Sequence, residues 1–196
     1  AVLDHLHGII FDLDGTLVDS QLDFAGMRRE TGCPPQRGLL EHIDTLADQT
    51  AREHAEAVIH RHEMAGARTA TWMPGAYNLL RRLSASAMPV GIVTRNSRSA
   101  ARLTLDALRA PSLDLITRED AAPKPDPEGL LQLADRWSLD VNVLAYVGDF
   151  RFDLEAAHRA NMTSILFLQD DNSDYADTAD VVFSHFDELA GLLNLQ

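Results

Sequence analysis

The feature that most constrains this chain is a rhythm: short apolar runs of strand length, each ending in a polar residue, alternate with amphipathic helical stretches. His7-Gly-Ile-Ile-Phe runs into Asp12, Pro89-Val-Gly-Ile-Val into Thr94, and Val143-Leu-Ala-Tyr-Val into Gly148-Asp149. Thr163-Ser-Ile-Leu-Phe-Leu and Asp180-Val-Val-Phe are further strand candidates, and Leu113-Asp-Leu-Ile is a shorter one. Helix starts lie between them. Pro74 opens a helix over Gly75 to Ser84, Ser97 opens Arg98 to Leu108, and Asp126-Pro127 opens Glu128 to Trp137. A helix after Asp149 should run through Leu154, Ala157 and His158 and end at Asn161, a residue that tolerates the left-handed conformation. Strand, helix and strand repeated in this way predict an α/β fold, a doubly wound parallel sheet covered on both faces. Ligands of such sheets bind at the carboxyl ends of the strands. Asp12, Asp14, Thr94 and Asp149 all fall at or just past those ends.

One segment breaks the rhythm. Residues 20–72 carry helical pattern without a strand, in stretches divided by Gly32-Cys33-Pro34-Pro35 and Gly38. The expected organisation is therefore an α/β core of residues 1–19 and 73–196, with a small all-helical cap, residues 20–72, inserted after the first strand. Between Ser20 and Trp72 there are eight Asp or Glu against six Arg, so the cap is nearly neutral while the whole chain carries a formal charge of −13. That charge disfavours a nucleic-acid polymer or an anionic membrane as partner. A phosphate can still bind locally, where a metal, a lysine and aligned N–H groups overcome the field. The first seven residues are too few and too polar for a signal-peptide core, so a cytoplasmic location is expected. The single cysteine, Cys33, excludes an intrachain disulfide.

The chemistry concentrates in Phe11-Asp12-Leu13-Asp14-Gly15-Thr16, where two carboxylates sit two apart at a strand end and a glycine allows a sharp turn. Neighbouring carboxylates raise one another's pKa unless a cation intervenes. One can then serve as a nucleophile and the other as acid and base, a division of labour that suits phosphoryl transfer. A turn and N-cap cluster is the structural alternative for this stretch alone.

On these residues the chain resembles the haloacid dehalogenase superfamily, whose first motif stands here as Asp12-Leu13-Asp14-Gly15-Thr16. The second motif, a Thr or Ser ending a hydrophobic strand, matches Thr94. The third, a lysine among prolines ahead of a helix, matches Lys124 in Ala122-Pro-Lys-Pro-Asp-Pro. The fourth matches Gly148-Asp149 with Asp153 four residues on. The resemblance covers nearly the whole chain and looks like the phosphoglycolate phosphatase branch. It implies a phosphatase for a small phosphate monoester, phosphoglycolate-like or a sugar phosphate, acting as a monomer or weak dimer. Asp12 would form an aspartyl-phosphate and Asp14 would act as acid and base. Mg²⁺ would be held by Asp12, Asp149, the Asp14 carbonyl and Asp153, while Thr94, Arg95 and Lys124 would bind phosphate. Phe150 departs from the family pattern, since many relatives carry a small or hydroxyl residue there.

Two other activities of the superfamily compete. A 2-haloacid dehalogenase needs no second acid, so Asp14 argues against it, and a phosphomutase needs the same two aspartates, with Thr16 favouring hydrolysis. From the cap, Arg28, Arg29 and Arg37 are the candidates for reading an anionic substrate, although arginines on a helix face are commonly just solvated. His54, His60 and His62 invite a metal reading that lacks accompanying ligands. Met64, Trp72 and Met73 fit core or hinge positions better than a cofactor site.

Overall fold

A computed structural model describes residues 2–195. The six apolar runs form one parallel sheet in the order β5-β4-β1-β6-β7-β8: β1 (Gly8–Phe11), β4 (Val90–Val93), β5 (Asp114–Ile116), β6 (Leu144–Gly148), β7 (Thr163–Phe167) and β8 (Val181–Phe183). The chain leaves β1, builds outward through β4 and β5, then returns to the other side of β1 for β6 to β8. This places the reversal of strand order at β1, where sheets of this kind bind ligands.

Both faces of the sheet are covered, because successive residues of a strand point opposite ways. Ile9 and Phe11 pack into one core with Leu79, Leu80 and Leu83 of α4 (Ala76–Ala85), Ala101 and Leu105 of α5 (Arg98–Ala107), and Phe186 and Leu189 of α8 (Phe186–Leu192). Ile10 belongs to the opposite core, with Leu130 and Leu133 of α6 (Glu128–Trp137) and Ala156 and Ala157 of α7 (Arg151–Arg159). Local chemistry marks the helix starts: the Ser97 hydroxyl accepts from Ala100 N at 3.3 Å and opens α5. Asn161, just past α7, has φ 58°, the left-handed value its position requires.

The cap contains α1 (Phe24–Thr31), α2 (Leu39–Thr45) and α3 (Gln49–Thr69). The carboxylates of Asp23 and Asp48 cap α1 and α3, accepting from Gly26 N at 2.8 Å and Ala51 N at 3.2 Å. Met27, Ile43, Ala55 and Ile59 give this segment a small core of its own. One expectation is corrected here: residues 20–72 are not free of strand. β3 (Thr71–Trp72) pairs antiparallel with β2 (Val18–Asp19), with Val18 opposite Trp72 and Asp19 opposite Thr71. The two chain crossings between cap and sheet are thereby tied together. Trp72 also donates to the Leu108 carbonyl at 3.2 Å, so the cap's exit is anchored on the sheet-covering layer. No helix among the described residues is long and apolar enough to cross a membrane.

Candidate active site

Strand register fixes the site. Phe11 pairs with Ile92 of β4 and with Val147 of β6, so Asp12 stands level with Val93 and Gly148, one residue short of Thr94 and Asp149. Three strand ends therefore present Asp12, Thr94 and Asp149 together at the floor of a cavity of about 630 Å³, whose walls come from the cap and from the loops after the strands. Asp14, Lys124, Asp153, Arg95 and Arg28 also line it, whereas Arg29 and Arg37 do not.

Lys124 is 3% exposed and lies at the centre of the acidic cluster. Its ammonium donates to Asp12 Oδ1 at 2.9 Å, to Asp153 Oδ1 at 2.7 Å and to the Tyr146 hydroxyl at 2.6 Å. Burial alone would lower the lysine's pKa, but Asp12 and Asp153 outweigh burial and hold it above the ordinary value. The Tyr146 hydroxyl in turn donates a hydrogen bond to the Val93 carbonyl at 2.7 Å, which ties the lysine to the end of β4.

Asp12, Asp149 and Asp153 offer carboxylate oxygens within 4.8 Å of one another, the single such cluster among the described residues. Burial, then Asp12 and Asp153, push the Asp149 pKa up to about 9. Burial and Asp12 likewise raise Asp153. Three close carboxylates, two of them bound to one ammonium, form a hard-oxygen, anionic donor set suited to a divalent cation. The Thr16 hydroxyl donates to Asp149 Oδ1 at 2.8 Å and so orients one member. Asp153 has both oxygens engaged: beside Lys124, its Oδ2 accepts from the backbone N–H groups of Asp149 at 3.1 Å and Phe150 at 3.0 Å.

Backbone shape permits this crowding. Gly15 has φ 83°, and a Cβ there would stand 2.7 Å from Asp149 Oδ2. At Gly148 a Cβ would meet the Asp153 side chain at 2.3 Å.

The Asp14 carboxylate lies outside the three-carboxylate cluster. Asn96 Nδ2 donates to its Oδ2 at 2.9 Å, while Oδ1 is buried without a hydrogen-bond partner. Burial raises the Asp14 pKa, with Glu63 adding to the rise and Ser20, Asn96 and Lys124 opposing it. Thr94 Oγ1 accepts from Asn96 N at 3.0 Å, which leaves its proton available to a ligand in the cavity.

Of the three arginines expected to read substrate, Arg28 lines the cavity and Arg29 and Arg37 do not. Arg28 Nη1 donates to the Arg37 carbonyl at 2.6 Å, to Cys33 Sγ at 3.2 Å and to the Pro34 carbonyl at 3.3 Å, bracing the turn between α1 and α2. Arg29 lies 4.0 Å from Asp23 and is largely exposed, and Arg37 Nη1 reaches Thr45 Oγ1 at 3.5 Å. Of the cap histidines, His62 pairs with Glu30 at 2.8 Å, away from the acidic cluster. Sequence reasoning missed Asn96, Tyr146, Arg118 and Glu63. Asn96, two residues after Thr94, carried a signal through its position. Arg118 and Glu63 carried none, since their Nη2 to Oε1 contact of 2.9 Å joins residues 55 positions apart.

The pattern of the haloacid dehalogenase-like hydrolases matches residues 9–167, which is most of the chain. The chain belongs to this family. Among its relatives, a phosphoglycolate phosphatase of Xanthomonas campestris pv. campestris is 32% identical over 181 residues, covering 82% of this chain and 82% of that protein. Validoxylamine A 7'-phosphate phosphatase of Streptomyces hygroscopicus subsp. limoneus is 26% identical, over 92% of this chain and 94% of its own length. A crystal structure of a hydrolase from Pseudomonas syringae shares the fold with a TM-score of 0.79 at 23% identity, covering 95% of this chain and 97% of that one. Membership accounts for the meeting of four separate sequence motifs on one cavity floor.

Proposed function

We propose that this chain is a magnesium-dependent phosphatase that hydrolyses a small phosphate monoester through an aspartyl-phosphate on Asp12. The observation that carries the reading is the contrast between the two aspartates of the first motif. Asp12 is held by an ammonium, which fixes its carboxylate in rotation. Asp14, buried and with pKa raised, keeps a proton more readily and has one oxygen without a protein partner.

In this reading the Asp12 carboxylate attacks phosphorus while Asp14 gives its proton to the departing alkoxide. Asp14, now ionised, next takes a proton from water, and the resulting hydroxide attacks the phosphorus of the aspartyl-phosphate to return Asp12. The Thr94 hydroxyl and the Arg95 backbone N–H bind nonbridging oxygens, and Lys124 offsets the charge of Asp12 and the approaching phosphate. Asp12, Asp149 and the Asp14 carbonyl would hold Mg²⁺, with Asp153, whose oxygens are already engaged, orienting Asp149. When bound, the ion supplies positive charge against which two anions can meet. The relatives' phosphatase names support the same class of reaction.

The test is phosphate release from a panel of phosphate esters with Mg²⁺, in wild type, Asp12→Asn and Asp14→Asn. Both variants should lose at least about a thousandfold in kcat, and acid-quenched wild type should carry one phosphoryl group on Asp12. Full turnover by Asp12→Asn would end the covalent mechanism.

A further inference from the structure

The cavity has two unlike ends. Its floor is polar, but the wall supplied by the cap sets Phe24, Met27, Leu39, Leu40 and Ile59 beside Arg28 and Glu63, and Phe150 joins it from the core side. Two of these rings are exposed where most large apolar side chains of the chain are buried: Phe24 is 54% and Phe150 41% accessible. Exposed rings at the mouth of a cavity mark a surface that gains by being covered. Phe150 is also part of an aromatic group, with ring centroids 5.1 Å from Phe152 and 5.8 Å from Tyr175.

Two of the arginines on this wall are committed to acids, while Arg151 lies over the Phe150 ring, 5.6 Å from its centre. Arg118 holds Glu63 through both nitrogens, and Arg95 Nη2 donates to Glu41 at 2.9 Å. Arg28 gives Nη1 to the turn it braces. A carboxylate or second phosphate on the far half of a substrate would therefore be desolvated against apolar carbon and would compete with Glu63 and Glu41 for their arginines. The volume, about 630 Å³, falls in the range that encloses a ligand of many heavy atoms, far more than a phosphate and a two-carbon acid occupy.

Resting on the phosphatase reading, we infer that the alcohol half of the substrate is bulky, apolar and uncharged, seated against Phe24, Leu40, Ile59 and Phe150, and is not a small acid. Phosphorylated on a primary hydroxyl, such an alcohol reaches the polar floor with its phosphate while its hydrocarbon covers the cap wall. Binding energy then comes from apolar burial on the leaving group, remote from phosphorus.

The experiment compares 2-phenylethyl phosphate with phosphoglycolate, both esters of primary alcohols, using the full chain with Mg²⁺ and following released phosphate. The expected kcat/KM is at least about tenfold higher for the phenylethyl ester, chiefly through KM. In Phe24→Ala, whose side chain is too exposed to be needed for folding, the ratio of the two kcat/KM values should fall about fivefold. A higher kcat/KM for phosphoglycolate would overturn the inference and leave the phosphatase reading standing, and loss of that preference in Arg28→Met would trace it to the cap's arginine. Absence of phosphate release from every ester would instead overturn the reading on which it rests.

Discussion

Lys124 has the most demanding position of any residue in this site, because among the described residues it is the only ammonium in contact with the buried carboxylates of Asp12 and Asp153. Removing one partner of a buried ionic group costs about 3–5 kcal/mol, since the remaining charge loses its compensation. Lys124→Met keeps the length and volume of the side chain and deletes the charge. Its melting temperature should fall by on the order of 10 °C in calorimetry, and kcat should fall by at least about a hundredfold. A variant that melted with wild type would show that the carboxylates do not depend on the lysine. Asp12, Asp149 and Lys124 were legible in the sequence because each sits beside a strand end or a proline, and Asp153 because it follows Asp149 at a fixed spacing in the next helix. Tyr146 was not legible: within Val143-Leu-Ala-Tyr-Val it reads as one more apolar strand residue, and nothing local shows that its hydroxyl meets Lys124. Arg29 and Arg37 show the reverse: charge and a place in the cap suggested substrate contact, yet neither lines the cavity, and they lie beside Asp23 and Thr45.

At the scale of elements, two ion pairs join cap to core. Glu63 of α3 accepts from Arg118, and Glu41 of α2 accepts from Arg95, whose guanidinium also lies 5.0 Å from the centre of the Phe152 ring. The first pair is the more buried, with side-chain exposures of 20% for Arg118 and 7% for Glu63, so it escapes most of the solvent screening that weakens surface pairs. Arg118 Nη1 also donates to the Arg95 carbonyl at 3.1 Å, linking closure of the cap to the loop proposed to grip phosphate. Arg118→Met should therefore raise KM about tenfold while changing kcat less, and amide hydrogens around Glu63 in α3 should exchange faster. Unchanged exchange in α3 would mean that the cap is held by its other contacts. The parallel strands and the helices α4 to α7 were legible because length, end residues and caps all agreed on them. The β2–β3 ribbon was not, because two-residue strands have no period to detect, and α8 follows β8 through His185 without a proline or glycine to punctuate it.

For the molecule as a whole, the acidic cluster links folding to pH and to metal. Burial and the neighbouring carboxylates push Asp149 from an ordinary aspartate's 3.8 up to about 9, so between those values the folded state binds more protons than the unfolded chain. Stability then falls as pH rises through that window, because each step upward favours the state that has already released its proton. Glu41 and Asp120 act in the opposite direction: Arg95 holds Glu41, and the Thr117 N–H and hydroxyl with Arg98 hold Asp120, below the usual carboxylate range despite the opposing effect of burial. Their contribution is complete above about pH 5, so from roughly pH 6 upward the cluster should dominate the slope. Protein stripped with a chelator should lose several degrees of melting temperature between pH 6 and pH 9. Mg²⁺ should restore it, with an increment that grows with pH, because the cation binds the ionised form. Asp149→Asn should flatten the chelated slope and remove most of the Mg²⁺ increment, which separates a metal effect at this cluster from general screening of the net charge of −13. A melting temperature that climbed with pH in the chelated wild type would show that these carboxylates are not held together as buried, mutually repelling groups.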